Sequence, residues 1–256
     1  MDTLADLLSL EVYRAFLVFA RVAAAVSLLP GFGELAVPPR VRLCIAIPVA
    51  LALTPTVPGL PDRLPPDAAV MLEQIFAETV AGAFLGLGAK LFLASLQVAG
   101  NIAAQAMGLA NPFGTDAAGF ESGSILSGTL VISGLALLFA LDLHYLMIDA
   151  LVRSYGSWPA AQLPDPGMVA GRYAQLVGGT FRLGVQMAAP FLISGMLFAL
   201  ALGLLSKLAP QIQVFFLFTS LQVALGLFMF ALTMAAMMMF WLTNFESAFI
   251  DFLRPG

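Results

Sequence analysis

The chain has 256 residues, 61% of them hydrophobic and 10% charged, with a formal net charge of −4. Soluble domains carry about 45–50% apolar and about 25% charged residues. A water-dispersed fold is therefore excluded, because too few ionic side chains are present to coat its surface. The charge is small and spread out, with no Lys/Arg cluster of the kind that holds nucleic acid, so no nucleic-acid partner is expected. The mean hydropathy of +0.97 makes membrane lipid the main solvent, and no stretch is polar enough for a second module. One membrane domain covering residues 1–256 is expected.

The N-terminal stretch opens with Asp2, Asp6 and Glu11, and Arg14 and Arg21 interrupt the apolar run that follows. A cleavable leader begins with positive charge, so this N-terminus is expected to be retained. Crossing about 30 Å of hydrocarbon takes a helix of about 20 apolar residues, and six regions are candidates: 12–29, 43–54, 70–107, 124–151, 173–206 and 214–243. Proline and glycine punctuate the intervals 30–42, 55–67, 108–123, 153–172 and 207–213, which read as loops. The third region is too long for one straight crossing, and 208–245 carries no charge at all, so helices that tilt or bury themselves in other protein are expected. Arg40 and Arg42 favour a cytoplasmic first loop, although lone cations in the other loops weaken the orientation signal.

Small residues recur every four positions at Gly82 and Gly86, at Gly100, Ala104 and Gly108, and at Gly195, Ala199 and Gly203. Such stripes let helix backbones approach closely in lipid. Cys44 is the only cysteine; it is expected to be a small buried apolar side chain. His144 is the only histidine, and HExxH and GxSxG patterns are absent, so the residues supply no metal, cofactor or nucleophile site and no enzyme is expected. His144 is expected to make a hydrogen bond in helix packing.

Intramembrane charge at Arg14, Arg21, Glu73, Glu78, Lys90, Asp142 and Asp149 is costly in hydrocarbon. It could mark an ion path, which keeps a secondary transporter or channel for a small solute as the alternative function. The two halves of the chain, however, lack matching interrupted helices. Arg14 and Arg21 lie seven residues apart, within about 20° on a helix face, and Asp142 and Asp149 repeat that spacing. These four residues form a candidate charge ladder, either between the first and fourth regions or between subunits. The competing reading is local pairing, Glu11 with Arg14 and Asp149 with Arg153.

The interval 108–123 holds four glycines (Gly108, Gly114, Gly119, Gly123), Pro112 and Asp116, and it cannot continue either neighbouring helix. Phe113 and Phe120 make it more apolar than a water-facing linker. Its residues alone allow an ordinary loop resting on the bilayer interface.

Several segments are familiar when taken in order. They are Phe19-Ala20-Arg21-Val22-Ala23, Leu29-Pro30-Gly31-Phe32-Gly33 and Val37-Pro38-Pro39-Arg40-Val41-Arg42 near the start, then Gly100-Asn101-Ile102-Ala103-Ala104-Gln105-Ala106-Met107-Gly108-Leu109. Leu138-Phe139, His144, Leu151, Ser154 and Pro159 follow, then Ala188-Ala189-Pro190, Leu202-Gly203-Leu204-Leu205 and Ala209-Pro210-Gln211-Ile212-Gln213-Val214-Phe215. Over essentially the whole chain this order resembles the FliR/SctT family of type III secretion export-gate proteins. It departs from the family where Asp116 is followed by Ala117 rather than proline. The absence of arginine in Gln105-Ala106-Met107-Gly108 points to the flagellar branch.

The resemblance implies an all-α integral membrane protein of tilted helical hairpins, forming one subunit of a helical hetero-oligomeric gate. It implies FliP-like and FliQ-like gate subunits, FlhB-like and FlhA-like export proteins and unfolded flagellar export substrates as partners. The location implied is the bacterial inner membrane, in the flagellar basal body, with much of the helical mass above ordinary bilayer level. It further implies that the interval at Gly108, Pro112, Phe113, Gly114, Asp116, Gly119, Phe120 and Gly123 is a loop that plugs the closed pore.

Overall fold

A computed structural model describes residues 4–109, 125–208 and 214–253. Every regular element among them is helical: α1 (Leu4–Leu28), α2 (Pro39–Leu53) with a 3-10 turn at Thr54–Thr56, α3 (Ala68–Ala106), α4 (Ile125–Ala140), α5 (Leu143–Ser157), α6 (Pro166–Leu208) and α7 (Val214–Leu253). The protein is an all-α integral membrane protein. Ala68–Ala106, Pro166–Lys207 and Ser220–Phe245 are long and apolar enough to cross a membrane, and α4 with α5 makes a fourth candidate if the broken pair counts as one span. At 1.5 Å per residue, the 39, 43 and 40 residues of α3, α6 and α7 reach about 60 Å, twice the hydrocarbon thickness. The 15 residues of α2 reach only about 22 Å, so the region 43–54 is a helix but too short to span.

Local signals set the helix starts. Asp67 accepts the Ala69 amide at 3.0 Å ahead of α3, and Asp165 accepts the Met168 amide at 2.9 Å ahead of α6. Each carboxylate satisfies an otherwise orphaned amide of the first turn. Pro39 and Pro166 occupy first-turn positions that need no N–H. The Asp165 cap also corrects the expected loop at 153–172: α5 runs to Ser157 and α6 begins at Pro166, leaving only 158–165 outside helices.

The fourth expected region is corrected more sharply. Instead of one helix over 124–151, the chain breaks between α4 and α5, where Asp142 adopts a left-handed conformation at φ 57° and ψ 19°. Aspartate tolerates that region better than most residues. The turn is closed by Asp142 N–H to Phe139 O and by Tyr145 N–H to Asp142 O.

By their contacts the residues fall into two compact units. The first comprises 1–91, 138–176 and 248–256. In it Val18, Val22 and Val26, one turn apart along α1, pack on Ala46 and Ala50 of α2, with Phe32, Val57 and Leu60 closing the cluster. Cys44 is exposed, against expectation, because it sits two residues from Ala46 and so points away from the face α2 buries. Among the described residues His144 does not make the expected packing hydrogen bond: its Nδ1 has no hydrogen-bond partner there, and its ring stacks on Phe139 at 5.5 Å.

The second unit comprises 92–137 and 177–247. Its centre is Trp241, fully buried, whose Nε1 donates to Phe92 O at 3.2 Å and Ser95 Oγ at 3.1 Å. Phe245 meets Phe92 edge-on at 5.6 Å. A side chain at Gly100 would collide with Ser127 of α4, and one at Gly184 would collide with Val98 and the Ser95 carbonyl. Helix approach at these points requires glycine.

Candidate functional site

Two sites emerge, one in each unit. In the first unit, α1 and α3 touch closely because Gly82 and Gly86 present bare backbone to the Arg21 and Ala25 carbonyls. That contact bears out the stripe read from the sequence. Glu78 lies one turn before Gly82, and the approach brings Arg21 onto it. Arg21 Nε donates to Glu78 Oε2 at 2.6 Å and Nη2 to Oε1 at 3.2 Å, a two-pronged pair with side chains 0% and 1% exposed. Arg21 Nη1 also donates to Ser154 Oγ at 3.2 Å and Trp158 O at 3.1 Å. The Ala161 amide donates to Glu78 Oε1 at 2.7 Å, and the guanidinium lies 3.8 Å from the Tyr155 ring centroid.

Every partner matters, because a buried ion is tolerated only when it is both paired and hydrogen-bonded. The cluster ties α1, α3 and α5 to the turn after α5, where Ala161 is held at φ 59°. It is a clamp between these elements.

This arrangement replaces the expected ladder within the chain. Arg14 donates to Glu11 at 2.8 Å, Asp62 at 3.1 Å and the Pro61 carbonyl at 2.8 Å, pinning the loop after α2. Asp149 pairs with Arg153 at the chain's own surface. Asp142 is consumed by the turn, its exposed carboxylate 4.0 Å from His144. The local readings of Glu11–Arg14 and Asp149–Arg153 hold; a meeting of Arg14 and Arg21 with Asp142 and Asp149 inside one chain does not. Sequence reasoning named Glu78 only as one of several intramembrane charges. The signal that could have paired it with Arg21 was Gly82, four residues on.

In the second unit the site is the end of α3. The Leu109 amide donates to Ala104 O at 2.8 Å and the Gly108 amide to Gln105 O at 3.1 Å, with Gly108 left-handed at φ 73°. This is the paired terminal arrangement that glycine allows at a helix C-terminus. One remaining free carbonyl, Ala106 O, accepts from Gln222 Nε2 of α7 at 2.9 Å. Gly195 of α6 packs against the same carbonyl, and Gly226 of α7 against Met107. Three neighbours therefore fix the point from which the chain leaves α3. Gly203, the third member of the stripe Gly195, Ala199 and Gly203, has nothing within 4 Å of its added Cβ position among the described residues, whereas Gly195 is in close contact. Pro112, Phe113, Gly114, Asp116, Gly119, Phe120 and Gly123 lie outside the described residues. Among the described residues no group of three or more His, Cys, Asp or Glu is placed to hold a metal ion.

The sequence matches the family of bacterial export proteins, family 1, over residues 12–248. It is 35% identical over 236 residues to flagellar biosynthetic protein FliR of Caulobacter vibrioides, covering 92% of this chain and 94% of that one. It is 26% identical over 231 residues to the FliR of Bacillus subtilis, covering 88% of each. Yop proteins translocation protein T of Yersinia pestis is 27% identical over 224 residues, 84% of this chain and 83% of that one. The chain belongs to the bacterial export protein family 1, the FliR/SctT family.

Proposed function

We propose that this member of the export protein family is a non-enzymatic, multi-pass subunit of the flagellar type III protein-export gate in the bacterial inner membrane. Type III export is the coarser reading, supported by relatives named for flagellar biosynthesis and for Yop translocation. The higher identity to the flagellar relative, 35% against 27%, favours the flagellar branch. In this reading the chain assembles with FliP-like and FliQ-like subunits inside the basal body, alongside FlhB-like and FlhA-like proteins, and unfolded flagellar subunits pass through the assembly. Helices of about 60 Å fit such a place better than a bilayer alone.

The observation that carries the gate reading is the end of α3. A glycine cap stops the helix, and contacts from α6 and α7 hold its last turn, so the segment 110–124 leaves from a fixed base. A plug needs such a base together with bulk: Phe113 and Phe120 supply the bulk, and Gly108, Gly114, Gly119 and Gly123 the freedom to swing aside. Pro112 directly precedes Phe113, and Asp116 lies between Gly114 and Gly119 of the same plug. Deleting residues 110–120 tests this. The variant complex should assemble in normal amount while cells become permeable to small ions. An assembled deletion complex as tight as wild type would refute the plug.

A further inference from the structure

Among the residues of the second unit whose side chains the structure describes, Arg182 and Lys207 are the only ions, and both are cations. Lys207 lies in the last turn of α6, where a cation is favoured. Arg182 has no such explanation. It is exposed on α6, about 24 Å along the helix from Pro166, and has no hydrogen bond or ion pair among the described residues. After it comes an uncharged stretch, 183–206, of about 36 Å, so the part of α6 that is long and apolar enough to cross hydrocarbon without a charge begins just after Arg182. Gln175, Gly178 and Gln186 are exposed on the same face at helical spacing. Side chains added at Gly178 or at the adjacent Gly179 would meet nothing within 4 Å.

We infer that this face of α6 docks a membrane helix of a neighbouring export subunit that carries an aspartate or glutamate opposite Arg182; the inference rests on the gate reading. The bare backbone at Gly178 lets a second helix approach closely. That approach excludes water and lipid from the guanidinium and leaves a carboxylate as the complementary partner, gripped by two parallel N–H groups. Gln175 and Gln186 flank the pair with amides able to bond a partner side chain or backbone. A lipid phosphate would also satisfy the charge, but lipid leaves the groove at Gly178 and Gly179 poorly filled, and two amides gain nothing from acyl chains.

The test co-expresses the chain with the other membrane subunits of its export apparatus and measures how much chain a tagged partner retains in mild detergent. Amount in the membrane and Trp241 fluorescence serve as controls for folding. Arg182→Glu should lower retention about thirtyfold or more. Gly178→Leu should lower it too, because it fills the groove. One partner Asp/Glu→Arg change should restore retention of Arg182→Glu. Any of three results overturns the inference: both variants retained like wild type; rescue of Arg182→Glu by Glu246→Arg within the chain; or a neutral Gly178→Leu with an Arg182→Glu loss that vanishes when anionic lipid is replaced by zwitterionic. A wild-type chain that retains no export subunit would instead bring down the gate reading itself.

Discussion

Arg21 and Gln222 both place polar groups among apolar helices, and the two regions treat them differently. Around Arg21 each charge is paired, bonded and sealed, with side-chain exposure at 0% and 1%. At the end of α3, Gln222 is only half-buried and makes one neutral bond, to a carbonyl beside a left-handed glycine. A sealed ion pair is costly to break because each lost partner strands a charge, whereas a lone amide bond yields for about 1 kcal/mol. The first unit thus holds a fixed clamp, and the second a helix end held by weaker, neutral contacts.

The largest expected effect breaks the clamp. Arg21→Ala or Glu78→Ala should each destabilise the protein by about 3–5 kcal/mol, read as thermal unfolding in detergent and as membrane yield. Arg21→Met combined with Glu78→Leu should recover most of the loss, because no charge is left stranded. A double variant as poor as the singles would mean that the pair does more than satisfy itself.

Next in size is the helix approach that builds the clamp. Gly82→Ala should cost about 1–3 kcal/mol, because the added methyl meets the Arg21 carbonyl of α1. Gly203→Ala, with open space at its Cβ, should be neutral or stabilise by up to about 1 kcal/mol. Equal unfolding temperatures for the two variants would show that small residues on α3 and α6 play the same part.

The yielding region should respond less in stability. Gly108→Ala forces an L side chain to φ 73° and should cost about 1–2 kcal/mol, and Gln222→Leu about 1 kcal/mol. Both should change ion leakage through the assembled complex more than they change its yield. A Gln222→Leu complex that loses yield without leaking would place Gln222 with the clamp.

Much of the fold was legible because it depends on local signals. Apolar runs located helices in all six regions, although one region holds two; Gly82 and Gly86 marked a true helix contact, and the prolines of 55–67 marked a true break. Asp142 was misread because a left-handed aspartate within an apolar run leaves no signature in hydropathy, and Cys44 because helix phase, not residue type, decides which side is buried. The partner of Arg21 was hidden for a different reason. Seven-residue spacing reports which residues share a face and says nothing of which helix lies opposite. Glu78 is 57 residues away, and only the packing of α1 on α3 joins the two.

The smallest expected effect concerns a local surface pair whose carboxylate, Asp149, the sequence also offered to the ladder. Asp149 and Arg153 are four residues apart on α5, with side chains 45% and 69% exposed in the single chain. Water screens such a pair and ordering two long side chains offsets its attraction, so Asp149→Ala should cost no more than about 0.5 kcal/mol in the isolated protein. Stability in detergent measures the chain alone; retention by co-expressed export subunits measures the assembly. If the pair is only local, both should stay at wild-type level, and raising salt should remove what little difference remains. A stable Asp149→Ala chain that its partners no longer retain would show that this carboxylate meets a cation on another subunit. That result would return the ladder to the assembly after the single chain had dispensed with it.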